Sequence, residues 1–328
     1  MNATENILII RLKSIGDILF TLPAVHMVRQ NFPDAKLHFM VSKEFVPLLR
    51  GFPEIDEVIG LDRSAFRSQS LLKTCPQLFR LVSGLREKRF SLVIDLQGYG
   101  ETAWLSWLSG APERWSTVYR YSRGWAYTRS EWRGKSAHPA EGHLLLLQRC
   151  GLRSGEIQNE YVLPAEAMGE ARKFFEKNGL DEKKPTLFLQ PFTSTPSHNW
   201  PLENFLALAR HFQPRFQILF GGGPSEREAL KPALDAGFVA SAGVPLLVSA
   251  GLVKLSTLAV GGDTGLLHLA VAVGKRVVML MPNPGTPTRP YQHLDWAIEP
   301  APGKIAEAIT INEVVEACER TLTANTED

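Results

Sequence analysis

The sequence has 328 residues, of which 44% are hydrophobic and 21% are charged, so it has the composition of an ordinary globular protein and the length of two domains. No stretch approaches the ~18 uninterrupted apolar residues that a membrane-spanning helix needs, and an apolar strand begins by Ile7, so we expect no signal peptide. Cys75, Cys150 and Cys318 are far apart. Their spacing excludes a disulfide framework and a CxxC metal site, and it indicates a reducing cytoplasm.

The charge is unevenly distributed along the chain. Residues 1–155 hold 21 lysines and arginines against 14 aspartates and glutamates, a balance of +7, and residues 156–328 hold 15 against 20, a balance of −5. A basic first half predicts an anionic partner for that half. Dispersed surface charges would give the same totals, and charge alone does not exclude them.

Residues 7–23, ILIIRLKSIGDILFTLP, form the first recognisable motif. An apolar run ends in a polar turn with Arg11, Lys13 and Asp17, and an apolar helical pattern resumes at Ile18. This pattern predicts a buried parallel strand followed by a helix that runs to about Asn31. In open α/β sheets, ligands bind at the carboxyl ends of such strands.

Strand-like and helix-like segments alternate through most of the chain. After residues 153–165 the alternation restarts, which predicts two doubly wound parallel α/β domains joined at that stretch. The domains are expected at 1–160 and 161–303. A C-terminal segment, 304–328, contains a helix over roughly 304–321 that we expect to pack back on the first domain.

Residues 113–141 interrupt the alternation and predict a long loop, either functional or poorly ordered. The segment interleaves arginines and one lysine with aromatic residues: Arg114, Arg120, Arg123, Arg129, Arg133 and Lys135 with Trp115, Tyr119, Tyr121, Trp125, Tyr127 and Trp132. Arginine binds phosphates and carboxylates, and aromatic rings stack on sugars or lie at membrane interfaces. A solvated loop with its aromatics packed on the domain is the alternative. Nucleic acid is a weaker possibility, because no nucleic-acid-binding motif accompanies the segment.

Three loops in the second half follow predicted strands and carry groups that bind phosphates or sugars. Residues 192–200, FTSTPSHNW, offer the hydroxyls of Thr193 and Ser194 and the imidazole of His198. Residues 221–226, GGGPSE, are a glycine turn in which Gly222 lets the backbone approach a ligand and Glu226 accepts from ribose hydroxyls. Residues 261–268, GGDTGLLH, place Asp263, Thr264 and Gly265 at a helix start, where free amides and the helix dipole favour a pyrophosphate.

Each of these features also has a purely structural explanation. The glycine turn could be only a tight turn with Ser225 as a helix N-cap, Asp263 only a cap, and His268 a core histidine. Asp17 likewise could be a helix cap, or a general base kept ionised by Arg11 and Lys13. Three such loops after successive strands favour a nucleotide site. Neither the GxGxxG fingerprint nor a P-loop is present.

Together these motifs resemble glycosyltransferase family 9, the heptosyltransferases that build the inner core of lipopolysaccharide. The resemblance rests on RLKSIGDILFTLPA, the Asp-Leu-Gln-Gly turn at 95–98, Gly110-Ala-Pro-x-Arg114, His-Asn-Trp-Pro at 198–201, GGGPSE and GGDTGLLH. It implies a GT-B fold, in which two Rossmann-like domains face each other across a cleft. It also implies inverting, metal-independent transfer of heptose from an ADP-sugar, with no cofactor.

The resemblance also assigns roles to individual residues. Asp17 matches the family's catalytic base. Thr193, Ser194, His198, Gly222, Glu226, Asp263, Thr264, Gly265 and His268 match the nucleotide-sugar site. One position departs from the family's pattern, because His198 stands where the family usually has a lysine that neutralises the departing pyrophosphate. An imidazole carries a full charge only when it is protonated.

The expected partners are an ADP-sugar donor, an anionic lipopolysaccharide-core acceptor and the inner face of the inner membrane, with no nucleic acid. We expect a cytoplasmic protein, peripheral at that membrane, in which Lys13, Arg114, Arg120 and Arg123 bind the acceptor. Two alternatives remain: a transferase or epimerase that uses another nucleotide-sugar such as a UDP-sugar, or a non-catalytic nucleotide- or lipid-binding relative.

Overall fold

The computed structural model describes residues 5–63, 71–132 and 138–323, with only the backbone for residues 71–75. The chain divides into two compact domains, 1–159 and 160–328, and each contains one parallel six-stranded sheet. The domain boundary predicted from the sequence lies between residues 160 and 161. Among the described residues, no helix has the length and apolar character that crossing a membrane requires.

The first domain alternates strands and helices around one sheet. Its strands are β1 (Asn6–Ile10), β2 (Lys36–Ser42), β3 (Glu57–Leu61), β4 (Leu92–Asp95), β5 (Glu113–Val118) and β6 (Arg129–Trp132), in the spatial order β3-β2-β1-β4-β5-β6. Its helices are α1 (Ile15–Leu19), α2 (Leu22–Asn31), α3 (Leu71–Glu87), α4 (Gly100–Leu108) and α5 (Pro139–Arg149), with 3₁₀ helices at Lys43–Gly51 and Tyr121–Ala126. Residues 7–10 of the central strand β1 are apolar and buried because helices cover both faces of the sheet.

The second domain repeats this architecture. Its strands are β7 (Thr186–Gln190), β8 (Gln217–Gly222), β9 (Val239–Ala242), β10 (Leu258–Gly262), β11 (Val277–Leu280) and β12 (Ala297–Ile298), in the order β12-β11-β10-β7-β8-β9. Its helices are α6 (Ala165–Lys177), α7 (Leu202–Phe212), α8 (Lys231–Asp235), α9 (Leu246–Leu255), α10 (Gly265–Ala272) and α11 (Ile311–Thr323), with short 3₁₀ helices at Pro196–His198, Pro224–Glu226, Leu294–Trp296 and Ala306–Ala308.

Each central strand of the second sheet contributes to two cores. Leu187 and Leu189 pack in the cluster with Phe205 and Phe212 of α7, whereas Phe188, between them in sequence, packs in the cluster on the opposite face. Successive strand residues point to opposite faces of the sheet, so an apolar run serves both layers. The predicted two-domain doubly wound α/β class is confirmed by these two sheets.

Two predicted helices are interrupted. The helix expected from Asp17 to Asn31 breaks at Phe20 and Thr21, because Pro23 lacks a backbone N–H and starts a second helix instead. The alternating strand–helix pattern also favours a helix after β8, from Ser225 to about Ala236, and the structure has only the 3₁₀ turn Pro224–Glu226 and α8 there. Pro232 lies at the start of α8 for the same reason.

The prediction of a long loop over residues 113–141 was wrong for most of the segment. It contains β5, in which Trp115 and Val118 are buried, and β6 at the sheet edge. The strand was missed because the polar residues Ser116 and Thr117 interrupt its apolar run. In the structure the buried Ser116 hydroxyl has a hydrogen-bond partner, since Oγ donates to Asp95 O at 2.8 Å. Arg133 and Lys135 lie outside the described residues.

The last helix packs in the core of the second domain. Val314, Ala317 and Cys318 of α11 lie in the same buried cluster as α7. Two hydrogen bonds hold the ends of this helix. Trp200 Nε1 donates to Ile309 O at 2.7 Å just before its start, and Arg276 Nη1 donates to Thr321 O at 2.9 Å in its last turn. The amphipathic pattern of α11 predicted a buried face but carried no information about which core it joins.

Candidate active site

One cluster of candidate residues lies where the strand order of the first sheet reverses. β1 is central, and the chain proceeds from it to β2 and β3 on one side and later to β4, β5 and β6 on the other. The loops after β1 and β4 therefore diverge and leave a crevice at their carboxyl ends, the place where ligands bind in such sheets. Asp17 follows β1 and Gln97 follows β4, so both are at this switch point.

Asp17 is held by an ion pair at this position. Arg11 Nη2 lies 2.6 Å from Asp17 Oδ1, and the Arg11 side chain is only 4% exposed whereas that of Asp17 is 34% exposed. The other oxygen, Oδ2, accepts longer bonds of 3.2 Å from the Ser14 amide and hydroxyl. Ser14 is the helix N-cap, and Asp17, three residues later, accepts from the Ser14 amide as part of a capping box. Asp17 therefore has the capping role that the alternative expected, and its partly exposed carboxylate is also accessible to a substrate.

The buried arginine also fixes the surrounding backbone. Arg11 Nη1 donates to Leu96 O at 2.6 Å, and Gln97 Oε1 accepts from the Leu12 amide at 2.8 Å. His143 from α5 lies between the carbonyl oxygens of Leu96 and Phe20, 3.2 Å from each. These contacts join the loops after β1 and β4. They orient Asp17 before any ligand binds.

The charge state of Asp17 follows from this environment. Burial raises the pKa of Asp17, but the Arg11 charge, the Arg11 hydrogen bond and the two bonds from Ser14 outweigh it, so the pKa lies below its ordinary value. Asp17 is therefore a carboxylate at neutral pH and is ready to accept a proton.

The predicted acceptor-binding residues fall into two groups. Lys13 and Arg120 are exposed. Arg114 is engaged with the protein itself, since Nε donates to Ala126 O at 2.7 Å and Nη1 donates to Ala111 O. Arg123 Nη1 donates to Gly98 O at 2.9 Å and its guanidinium lies over the Tyr99 ring. Arg114 and Arg123 thus stabilise the turns near β4 and β5 in this structure.

A separate cluster of candidate residues lies at the switch point of the second sheet. There β10 and β7 are neighbours, and β8 lies on the other side of β7. The three predicted loops follow β7, β8 and β10, so they lie next to one another at the carboxyl edge. A fourth loop, residues 281–296 after β11, adds Thr288, which the sequence analysis missed. Its signal was the Pro- and Gly-rich stretch PNPGTPTRP directly after a strand.

Asp263 is clamped between two partners. Its Oδ1 lies 2.8 Å from His268 Nε2, and its Oδ2 accepts from Thr288 Oγ1 at 2.6 Å. Burial raises the pKa of Asp263, but the hydrogen bonds from His268 and Thr288, with the charges of His268 and His198, bring it below its ordinary value. Thr264, not Asp263, caps helix α10, because Thr264 Oγ1 accepts from the Leu267 amide at 3.3 Å. Asp263 is therefore an ionised group with its orientation fixed.

The hydroxyls in the loop after β7 differ in their availability. Thr193 is buried, its Oγ1 donates to Thr195 O at 2.8 Å, and its amide donates to Asn199 Oδ1 at 2.8 Å. Ser194 is exposed, and His198 is half-buried at the end of a 3₁₀ turn. Thr193 thus shapes the loop, and Ser194 and His198 are the accessible groups.

Glu226 and Gly222 lie in the loop after β8. Glu226 Oε2 accepts from the Gly223 amide at 2.5 Å, which folds the glycine turn, and Oε1 has no hydrogen bond among the described residues. A Cβ on Gly222 would lie 2.7 Å from Leu230 Cδ1. The turn is therefore closely packed, and Glu226 keeps one oxygen for a ligand. No group of three or more His, Cys, Asp or Glu side chains suited to a metal ion occurs in the part of the chain that the structure describes.

Replacing Gly262 with alanine should push two of these loops apart. The added Cβ would lie 2.5 Å from Thr193 Cγ2 in the neighbouring loop, closer than side chains pack. We expect Gly262→Ala to lower the free energy of unfolding by about 1–3 kcal/mol, the usual cost of overpacking, as measured by urea denaturation. The matched control is Gly169→Ala in α6, where no atom lies within 4 Å and alanine should stabilise by up to ~1 kcal/mol. Equal stability of the two variants would contradict this packing.

The residues of the two domains match a known family over most of the chain. The family model for glycosyltransferase family 9 (heptosyltransferase) matches residues 78–303. The chain belongs to glycosyltransferase family 9. This confirms the predicted family and the glycosyltransferase class.

Three relatives illustrate how the family resembles this chain. It is 25% identical to lipopolysaccharide heptosyltransferase 1 of Escherichia coli O18:K1:H7 over 283 residues, which cover 82% of this chain and 83% of the relative. A family 9 glycosyltransferase structure from Veillonella parvula has a TM-score of 0.86 at 21% identity and covers 99% of both chains. The structure of E. coli heptosyltransferase WaaC with ADP has a TM-score of 0.76 at 22% identity and covers 96% of this chain and 99% of that one. Both structures have the same fold as this chain.

Proposed function

We propose that this family 9 glycosyltransferase moves a heptose from an ADP-sugar to the inner core of lipopolysaccharide, with inversion and without a metal ion. The observation that carries the proposal is the set of loops at the switch point of the second sheet, where a helix start, a glycine turn and accessible hydroxyls lie together. This is the chemistry that binds a nucleoside diphosphate. A related protein, E. coli WaaC, was solved with ADP.

The donor is bound by the second domain. Its pyrophosphate lies at the start of α10, where the free amides that follow Thr264 and the helix dipole neutralise part of its charge. Ser194 donates a hydroxyl hydrogen bond to a phosphate oxygen. Glu226 Oε1 accepts from a ribose hydroxyl, and Gly222 allows the backbone to approach the nucleoside. Asp263, oriented by His268 and Thr288, accepts from sugar hydroxyls.

The first domain supplies the base. Asp17 Oδ2 takes the proton from an acceptor hydroxyl, and the oxygen forms a bond to the anomeric carbon of the donor. The bond from that carbon to the phosphate oxygen breaks on the opposite face, and the nucleoside diphosphate departs with the electron pair. One displacement of this kind inverts the anomeric centre. Arg11 keeps Asp17 ionised and fixed, so that little reorganisation is needed at the moment of reaction.

His198 stands where the family usually places a lysine, and it faces the departing diphosphate in this proposal. An imidazolium at this position lowers the pKa of Asp263. It stabilises the leaving group only while it is protonated.

The acceptor is the phosphorylated, lipid-linked core of lipopolysaccharide, which is consistent with the balance of +7 in residues 1–155. Lys13 and Arg120, both exposed, are the cations available to it. Such an acceptor is held in a membrane. We therefore propose a cytoplasmic protein that works at the inner face of the inner membrane.

Ligand-dependent melting tests the donor assignment. ADP should raise the melting temperature more than UDP at equal concentration, because only a ligand that binds the folded state stabilises it, by about 2.7 kcal/mol at a hundredfold excess over Kd. Mass spectrometry of a delipidated core acceptor should then show one added heptose with ADP-heptose and no product with a UDP-sugar. A larger shift with UDP, or product from the UDP-sugar alone, would overturn the assignment.

A further inference from the structure

Three tryptophans form an exposed cluster on the first domain. Trp104 and Trp107 lie on α4 and Trp125 on the 3₁₀ helix Tyr121–Ala126, and they are 54%, 45% and 50% exposed. Their ring centroids are 4.7–5.9 Å apart with edge-to-face geometry. We call these three residues the tryptophan surface. Large apolar patches of this kind mark interaction sites, because a soluble surface rarely exposes so much contiguous apolar area.

An apolar cavity adjoins the tryptophan surface. It has a volume of about 510 Å³ and is lined by Trp104, Leu61, Leu78, Leu81, Leu105 and Leu108. Glu101, the charged residue among the described lining residues, is held by a bidentate pair with Arg63, with N–O distances of 3.0 and 2.7 Å. A sugar ring would need several polar partners in such a cavity. The leucine lining instead suits a hydrocarbon chain.

Positive charge flanks these apolar groups. Arg80 and Arg86 lie on α3, which contributes Leu78 and Leu81 to the cavity, and Arg120 and Arg123 precede Trp125 by five and two residues in the sequence. The acidic residues on the same elements are Glu87 and the paired Glu101. Tryptophans with a surround of arginines match the interfacial region of an anionic bilayer, where indole rings lie at headgroup level and cations meet anionic lipids.

The tryptophan surface is continuous with the loop that helps to hold Asp17. Helix α4 begins at Gly100, directly after the turn in which Gln97 bonds the Leu12 amide. Arg123, two residues before Trp125, donates to Gly98 O in that turn. The apolar patch and the candidate base are thus connected through four residues of one rigid turn.

We propose that the tryptophan surface docks this protein onto an anionic lipid bilayer, with the leucine-lined cavity receiving the end of an acyl chain. The docking brings the sugar headgroup of a lipid-linked acceptor to the edge of the sheet where Asp17 lies, and in that respect it rests on the proposed function. The cations near Trp125 meet the lipid phosphates, and the apolar side chains enter the interface.

Vesicle cosedimentation tests the docking without donor or acceptor. The wild-type chain should bind vesicles that contain phosphatidylglycerol, bind phosphatidylcholine vesicles more weakly, and lose affinity with added salt. The variant Trp104→Ser/Trp107→Ser/Trp125→Ser should bind the anionic vesicles at least about tenfold more weakly, since burial of apolar area drives interfacial binding. The control Leu234→Ser/Leu294→Ser removes two exposed side chains from the second domain and should bind like wild type.

The folded state of the triple variant is checked by ADP-dependent melting and by transfer to a water-soluble acceptor, both of which should match wild type. Equal vesicle binding by wild type and the triple variant would overturn the proposal. So would a wild-type dimer that becomes monomeric in the triple variant while neither binds vesicles, because the surface would then join two copies. If the wild-type chain bound anionic vesicles but transferred no heptose, the proposed function would be refuted and the docking surface would remain supported.

Discussion

Replacement of Asp17 by asparagine is expected to lower turnover by about 10²–10⁴-fold, the usual contribution of a positioned general base. Asparagine has nearly the same shape and its oxygen still accepts from Arg11, so the loop after β1 should stay in place. It has no carboxylate to take the acceptor proton. Initial rates with a delipidated acceptor measure the loss, and ADP-dependent melting should be unchanged because Asp17 lies in the other domain.

The matched control for this prediction is Asp34→Asn, which removes an exposed carboxylate from the same domain and should leave the rate unaltered. The pH dependence provides a second readout. The folded-state pKa of Asp17 lies below its ordinary value. Asp17 is therefore still ionised at the ordinary aspartate pKa, and it becomes protonated only as the pH falls through the lowered pKa. The acidic limb of kcat/KM that belongs to Asp17 should therefore lie below the ordinary aspartate pKa of about 3.9. Near-normal turnover of Asp17→Asn would refute the role.

Replacement of Asp263 by alanine is expected to weaken donor binding by about 10–100-fold. The variant leaves the buried His268 ring and the Thr288 hydroxyl without their partner, and each lost partner costs about 1–3 kcal/mol. It also releases the loop after β11 from the start of α10. Titration with ADP-heptose, followed by intrinsic fluorescence, measures the change in Kd.

Two further variants separate geometry from charge at this position. Asp263→Asn should lose less affinity than Asp263→Ala, because its amide accepts from His268 and its nitrogen donates to the Thr288 hydroxyl. Asp295→Ala removes an exposed carboxylate that lies seven residues beyond Thr288 and should bind ADP-heptose like wild type. Unaltered binding by Asp263→Ala would show that the clamp has no part in holding the donor.

The sequence was most informative where periodicity and turn chemistry agreed. The apolar run of residues 7–10 predicted the central strand β1, since parallel strands buried on both faces lack polar alternation. The loops after them could be placed at one edge because parallel strands all end there. Asp17, Asp263 and Glu226 could be predicted as candidate site residues for this reason.

Long-range partners could not be predicted in the same way. The salt bridge of Arg11 with Asp17 spans a turn, but the bond of Arg11 to Leu96 joins residues 85 apart. Thr288 reaches Asp263 across 25 residues of loop and strand. Arg114 and Arg123 were expected to bind the acceptor. In the structure, their guanidinium groups donate hydrogen bonds to backbone carbonyl oxygens. Sequence spacing reports local geometry, whereas these contacts depend on which strands become neighbours in the sheet.

The two sheets have the same connectivity when each is counted from its own first strand, because both run 3-2-1-4-5-6. Each domain also closes its own apolar core, so the loops at one switch point can change without altering the packing of the other domain. Under the proposed function, loops of the first sheet recognise the acceptor and loops of the second sheet recognise the donor. A change of donor or of acceptor would then alter the loops of one sheet and leave the core of the other domain intact.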